Sequence, residues 1–221
     1  MDKMTKKELI AKAMEIPGMV SEWDLDLIYD QSQEYVTKGG FAIEIGGWKG
    51  RSTYVIASVC KEKGAQLYEL DTFSGVEDST SRKNQPDNLN GYYEAFINPN
   101  FMEIMKNNLV GLPVIYKKGD SKETIKEIPN RSIDYCFIDG NHDSPFVDED
   151  IENCLRKVKI GGLVTGHDHG NPDTNVHQAV DRILGTDFRL NVRPTIGDPK
   201  YCLTIWSHVV DGSEIPPDAK L

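Results

Sequence analysis

The sequence predicts a doubly wound α/β fold: a mostly parallel seven-stranded sheet with helices on both faces and an antiparallel C-terminal hairpin. Three observations lead there. Strand-like apolar runs alternate with helical patterns from residue 41 to residue 184, the pattern of consecutive βαβ units. The run IDYCFIDG at 133–140 is almost continuously apolar, as a parallel strand buried on both faces requires. The polar residues that stand out, Glu44, Asp71, Asp120, Asp139, His167 and Asp168, all close predicted strands. Ligands in such sheets bind outside those carboxyl ends, near the switch in strand order.

The elements follow in chain order. Residues 5–14 read as a short helix stopped by Pro17-Gly18, and Ser21 can cap a second helix that ends near Gly39-Gly40. FAIEIG (41–46) is a short apolar strand, Arg51 to Lys63 a helix, and AQLYELD (65–71) the second strand. Residues 72–111 break the rhythm with Gly75, Pro86, Gly91, Pro99 and Gly111 and short helical stretches, the later one from Phe101 to Leu109. A compact domain rarely places so much chain between two strands without a functional reason. PVIYKKG (113–119) is a strand, Ser121 to Glu127 a short helix, and 133–140 the fourth strand. Val147 to Val158 is a helix, GGLVTGH (161–167) the fifth strand, and Val176 to Leu184 the last clear helix. FRLNVRP (188–194) and YCLTIWSHV (201–209), joined through Gly197, Asp198 and Pro199, form the hairpin.

A chain of 221 residues suits one such domain. Lys and Arg number 25 against 35 Asp and Glu, a net charge of −10, which repels a phosphate backbone. Nucleic acid is therefore a poor substrate, and a small-molecule acceptor is expected. No apolar run approaches membrane-spanning length, and the charged N-terminus lacks the apolar core of a signal peptide. Cys60, Cys136, Cys154 and Cys202 are scattered without a CxxC pair, so they read as free buried thiols. A cytoplasmic location follows as the expectation. Neither the acceptor nor the oligomeric state is encoded legibly, and a homo-oligomer is compatible with all of this.

Glu44-Ile45-Gly46-Gly47-Trp48-Lys49-Gly50-Arg51-Ser52-Thr53 joins the first strand to its helix. Dinucleotide folds need G-x-G-x-x-G there, with a pyrophosphate at the helix N-terminus. Here Trp48 takes the place of the second glycine, and an acid stands two residues before the first. E-x-G-x-x-x-G suits a ligand without phosphates. Asp71, 21 residues after Gly50, can accept hydrogen bonds from vicinal ribose hydroxyls or serve as a turn cap. Asp120 or Ser121 can meet an adenine amino group or cap the following helix.

EIGGWKGRST, LYELDTFSG, the GDS after strand three, FIDGNHDSPFVDEDI and GGLVTGHDH together resemble the class I S-adenosylmethionine (SAM)-dependent O-methyltransferases. They are most similar to the macrocin and catechol O-methyltransferase-like small-molecule enzymes. The resemblance runs from about residue 40 to 185 and implies the Rossmann-like SAM methyltransferase fold. It implies that Glu44, Gly46 and Gly50 line the methionine and ribose part of SAM, with Gly47, Ser52 and Thr53 in the same loop. Asp71, followed by Thr72, would hold the ribose; Asp120 and Ser121 would lie beside the adenine, and Asp139 near the methionine ammonium. Residues 1–39 would be helices packing on or covering the cofactor site, 40–210 the catalytic domain with a lid or substrate insertion at about 72–111, and 211–221 a tail.

Strand four ends in Asp139-Gly140-Asn141-His142-Asp143 and strand five in His167-Asp168-His169. Two carboxylates with imidazole suit Mg²⁺ or a similar divalent cation. By the resemblance its ligands would be Asp139, His167 and Asp168, although the first strand-five position there usually carries an oxygen ligand. The alternatives are His169 in place of His167 and a site without metal. His142 titrates near neutrality and can act as the base on a hydroxyl, beside Asp139. Trp48, Phe73, Tyr92, Tyr93, Phe96 and Phe101 offer aromatic surfaces for a substrate or for packing of the lid. The expected reaction is O-methylation of a natural product, phenol or sugar. The alternatives are a non-catalytic SAM- or nucleoside-binding module and a NAD-dependent oxidoreductase.

Overall fold

The computed structural model describes residues 4–74, 100–192 and 204–214. Helices α1 (Lys6–Glu15) and α2 (Glu22–Tyr35) precede β1 (Phe41–Ile45), α3 (Arg51–Lys63) and β2 (Gln66–Asp71). Then come α4 (Phe101–Asn108), β3 (Val114–Lys118), α5 (Ser121–Thr124), β4 (Ile133–Ile138) and α6 (Phe146–Lys157). The chain closes with β5 (Val158–Gly166), α7 (Val176–Leu184), β6 (Arg189–Val192) and β7 (Thr204–Val209). The sheet order is β3-β2-β1-β4-β5-β7-β6. The first five strands are parallel, and β7 runs antiparallel to both β5 and β6.

This is the doubly wound sheet read from the sequence, with differences of detail. β5 begins at Val158, three residues before the expected Gly161, because its pairing with β4 resumes on both sides of an irregularity between Ile133 and Tyr135. The helix expected over 121–127 is a single α-turn followed by a 3₁₀ turn, Ile125–Glu127. In the C-terminal pair β6 takes the edge and β7 fills the gap beside β5. The Gly197–Pro199 turn and Tyr92, Tyr93 and Phe96 of the insertion lie outside the described residues.

Each face of the sheet carries its own core. On one face Leu9, Ile10, Leu25 and Ile28 of α1 and α2 pack with Val55, Ile56 and Val59 of α3 against Ala42, Leu67 and Phe137. On the other, Val147, Ile151 and Leu155 of α6 and Ala179 and Val180 of α7 cover Ile43, Cys136, Ile138 and Val164. The Cys136 and Cys154 thiols meet at 2.9 Å in this core; they and Cys60 are free and buried, and Cys202 lies outside the described residues. Capping boxes start both N-terminal helices: Thr5 with Glu8, and Ser21 with Asp24. No helix among the described residues is long and apolar enough to cross a membrane. The strand order reverses between β1 and β4, so the crevice above these two strands is where a ligand belongs.

Candidate active site

The chain leaves β1 in a tight turn over Gly46-Gly47-Trp48-Lys49-Gly50 before entering α3. Gly46 has φ +87°, and a Cβ there would sit 2.3 Å from the Asp139 carbonyl oxygen. Only glycine lets β1 and β4 end this close together. A Cβ on Gly47 would meet Thr53 Oγ1 at 2.5 Å and Glu69 Oε1 at 2.6 Å. Trp48 takes the left-handed region at φ 49°, a conformation that costs a bulky residue free energy.

Carboxylates from β2 hold that turn. Gly47 N donates to Glu69 Oε1 at 2.9 Å, and Trp48 N to Asp71 Oδ2 at 3.1 Å. Asp71 Oδ1 also accepts from Phe73 N at 2.7 Å. Burial raises the Asp71 carboxyl above its ordinary range, against these two backbone bonds. Behind the turn, Asn108 of α4 donates to the Lys49 carbonyl at 2.9 Å. Trp48, Phe73 and Phe101 pack here around α4, Phe101 edge-on to Trp48 at 6.2 Å. Phe73 and Phe101 are buried packing groups in this arrangement.

Glu44 lies beneath the turn, fully buried beside Glu69, Ser52 and Thr53. Burial raises its carboxyl and raises Glu69 well above the carboxylate range, with the Glu44 charge adding to the second shift. A buried pair of this kind favours retaining a proton. Both Glu44 oxygens, Glu69 Oε2 and Thr53 Oγ1 have no hydrogen-bond partner among the described residues. Glu44 thus underlies the turn from within the protein. At the β3 end, Asp120 caps α5 by accepting from Lys122 N at 2.9 Å. Ser121 donates to Asp150 Oδ1 of α6 at 2.5 Å. Exposed Thr72 accepts from the Ser74 hydroxyl at 2.9 Å.

The ends of β4 and β5 meet as the strand order requires. Asp139 N donates to the Ile45 carbonyl and His167 N to that of Ile138. Asp168 stands in the left-handed region at φ 62°, which acids tolerate better than most residues. His142 Nε2 lies 3.2 Å from Asp139 Oδ1 and 3.3 Å from Asp168 Oδ2. These three residues can each offer a ligand atom such that all lie within 4.8 Å of one another. His167 Nδ1 faces the same Asp168 Oδ2 at 3.2 Å and Asp139 Oδ1 at 4.0 Å. Its Nε2 faces away, 3.6 Å from Asp24 Oδ2 of α2. His169 packs against His177 and Phe188, 3.4 Å from Asp181 of α7; it engages α7 and not the three-residue cluster.

Charges in the cluster reinforce one another. Burial alone would lower His142, but the Asp139 hydrogen bond and the Asp168 and Asp139 charges raise it above its ordinary value. The same contest, with Asp168, Asp24 and Asp139 on the winning side, raises His167 well above its own. Burial would raise Asp168, yet the His167 bond and both imidazoles bring it below the carboxylate range.

Three residues of this arrangement went unread in the sequence. Glu69 was visible as a charge inside an apolar strand run. Asp150 interrupts the apolar face Val147-Ile151-Cys154 of α6. Asp24 sits on α2 with no local sign, because its capping box with Ser21 accounts for it fully.

Residues 43–169, more than half of the chain, match the profile of a methyltransferase-domain family. No curated protein gives a significant match. Among solved structures, the chain is similar to a precorrin-6y C5,15-methyltransferase from Geobacter metallireducens GS-15, at 13% identity and a TM-score of 0.58. That match covers 88% of this chain and 94% of the other. An SAH-bound methyltransferase of Podospora anserina is 13% identical with a TM-score of 0.57, covering 92% and 87%. An rRNA methylase from Streptococcus thermophilus is 11% identical with a TM-score of 0.54, covering 86% and 97%. At these identities the likeness is one of fold; the first name points to a precorrin as what is methylated and the third to an rRNA. The family match begins within β1 and runs through the ends of β2, β3, β4 and β5 to His169, so it takes in every strand end that shapes the site. The chain belongs to the methyltransferase-domain family, on the Rossmann-like fold of the SAM-dependent methyltransferases.

Proposed function

We propose that the protein transfers the methyl group of SAM to a hydroxyl oxygen of a small metabolite, with His142 as the base. The observation that carries this reading is His142 Nε2 held between Asp139 Oδ1 and Asp168 Oδ2 at the β4–β5 end, next to the glycine turn. SAM carries a sulfonium, an ammonium and two ribose hydroxyls and no phosphate. The residues present fit that group: Asp71 keeps acceptor capacity for hydroxyls, Asp139 is an acid beside the turn, and Trp48 stands where a dinucleotide fold has its second glycine. When bound, SAM supplies the electrophilic methyl carbon.

The chain's own residues supply alignment and proton removal. Asp71 fixes the turn through Trp48 N and accepts from the cofactor's hydroxyls. His142, its Nε2–H held by the two carboxylates, takes the acceptor's hydroxyl proton at Nδ1, and the same carboxylates stabilise the imidazolium that forms. Holding both reactants in line supplies much of the remaining acceleration. A phenol has an ordinary pKa of about 10, so about one molecule in a thousand is ionised at neutral pH; this is the deficit that the base must overcome.

Asp139, His142 and Asp168 also form a donor set for a divalent cation, a second use of the same three side chains. Two carboxylates and an imidazole suit Mg²⁺, Mn²⁺ or Fe²⁺, and a cation there would lower the hydroxyl pKa. His167, the imidazole implied by resemblance, has its Nε2 turned toward Asp24; both imidazoles lie close to Asp168, and His142 lies nearer Asp139, at 3.2 Å against 4.0 Å. The test has two arms. Calorimetry should show SAM or SAH binding near micromolar affinity, roughly −8 kcal/mol, and a panel of phenols and sugars with SAM should yield SAH. No binding would end the methyltransferase mechanism. Exhaustive chelator separates the two uses of the cluster: turnover lost with SAH binding intact supports the cation, and turnover retained leaves His142 acting alone.

A further inference from the structure

Asp24 of α2 is a charged residue of the N-terminal helices that faces the reactive cluster, through His167. It is fully buried and lies outside residues 43–169, the span of the family match. Its Oδ2 accepts from Ser21 N at 2.8 Å and from Ser21 Oγ at 2.5 Å, and the same oxygen stands 3.6 Å from His167 Nε2. That separation is an ion-pair distance, longer than a hydrogen bond. Asp24 Oδ1 and His167 Nε2 have no hydrogen-bond partner among the described residues. Leaving a buried carboxylate oxygen and a buried imidazole nitrogen both unsatisfied is costly. The carboxylate facing His167 Nε2 is that of Asp24, through Oδ2, so a small closure of the pair satisfies the imidazole nitrogen.

The other end of the same ring completes a chain of contacts. His167 Nδ1 faces Asp168 Oδ2 at 3.2 Å, and that oxygen faces His142 Nε2 at 3.3 Å. With its two nitrogens held between Asp24 and Asp168, His167 has one ring orientation, and that orientation fixes where the Asp168 carboxylate meets His142. Outer partners that orient an active imidazole or carboxylate in this way commonly matter 10–100-fold, by the precedent of metal-site ligands (~10–100). The start of α2 is itself pinned to the cofactor turn. Arg51, the first residue of α3, donates from Nε to the Ile16 carbonyl at 2.7 Å and from Nη1 to the Val20 carbonyl at 2.9 Å. The α1–α2 connection is thus tied to the helix behind the glycine turn four residues before Asp24.

We propose that Asp24 is a positioning residue for the reactive centre, holding His167 so that Asp168 presents its carboxylate to His142. The inference deepens the proposed function and rests on it for the role of His142. It assigns part of the site to the helical segment that the family match does not include.

The test uses ¹⁵N-labelled histidine in the full chain at one fixed pH, with SAH affinity measured alongside. In the wild type, His167 Nε2 should carry a proton directed at Asp24. A bare Nε2 overturns the proposal without any variant, which keeps it decidable if Asp24 substitutions fail to fold. In Asp24→Asn the His167 and His142 ring signals should both shift, with SAH affinity within about twofold of wild type, because the cofactor side of the cluster keeps its contacts. Ser21→Ala removes the capping hydroxyl and leaves the Asp24 carboxylate; it should lower thermal stability and leave both ring signals in place. Unchanged ring signals in Asp24→Asn overturn the proposal, as does an equal shift in Ser21→Ala, which would assign the effect to the helix cap. Absence of SAH binding by the wild type would instead strike the proposed function, and the Asp24–His167 result is read independently of it.

Discussion

Asp71 accepts one backbone N–H on each oxygen, from Phe73 and Trp48, and each oxygen retains capacity for another donor. The two donors belong to residues with left-handed backbones, φ 55° and 49°, so the carboxylate both stabilises two unfavourable turns and faces the cofactor. Asp71→Ala should therefore weaken SAH binding by about 1–3 kcal/mol, the cost of a lost charged hydrogen bond. Calorimetry on the variant checks this; unchanged affinity would remove Asp71 from the cofactor site. Asp150 makes a second prediction at this scale. Its buried carboxyl, beside Ser121 and facing the Asp120 and Glu149 charges, is pushed up from 3.8 to about 7, burial being the largest cause. A folded-state pKa above the unfolded one gives stability that is present below about pH 4 and lost as pH rises toward 7. Three pKa units correspond to about 4 kcal/mol as an upper bound. Asp150→Asn keeps an acceptor for Ser121 and cannot ionise, so it should raise the Tm at pH 8 and change it little at pH 4. Scanning calorimetry at both pH values decides it; equal shifts would mean that the carboxyl does not titrate in this window.

At the scale of elements, the β1–α3 turn is where backbone geometry and site coincide. Gly46→Ala must hold alanine at φ +87° and place its Cβ 2.3 Å from the Asp139 carbonyl. The turn or the β4 end must then move. Gly64, at the other end of α3, has φ +64° with nothing within 4 Å of a Cβ. Gly64→Ala should cost about 1–2 kcal/mol from backbone strain alone and leave SAH affinity unchanged. Gly46→Ala should cost more, because a collision adds to the strain, and should abolish measurable SAH binding. Urea unfolding and calorimetry on the pair separate the contributions; equal behaviour would show that the close approach of β1 and β4 is unimportant. Gly46 and Gly47 are legible in the sequence as glycines of the turn between the first strand and its helix. Which atoms they make room for was not readable, since Asp139 and Glu69 arrive from other strands. The Asp120–Ser121 pair shows the same division: both roles were open in the sequence, and in the fold Asp120 caps α5 while Ser121 reaches Asp150.

Across the whole molecule, two cores on opposite faces fix the strand ends, and the strand ends fix the site. α1 and α2 cover one face through Leu9, Ile10, Leu25 and Ile28, and in doing so deliver Asp24 to His167. α6 covers the other through Ile151 and Leu155 and delivers Asp150 to Ser121. Each acid comes in on a helix whose apolar positions are satisfied elsewhere, and the test of Asp24 asks whether that delivery reaches as far as His142.

The sequence by itself determined the fold class, the seven strands and the gathering of polar residues at their carboxyl ends. Strand and helix periodicities are local, and a doubly wound sheet places consecutive strand ends side by side. It also determined which acids and imidazoles lie after β4 and β5. Only the tertiary structure decided that His142 lies between Asp139 and Asp168, that His167 turns its Nε2 toward Asp24, and that Glu44 is sealed beneath the turn with Glu69. Asp139 and His142 are three residues apart, but the other outcomes depend on side-chain directions and join groups 25 residues (Glu44 and Glu69) to 143 residues (Asp24 and His167) apart in the chain, where no period or motif links one partner to the other. They are set by packing: a buried polar atom takes the partner that the cores place within reach.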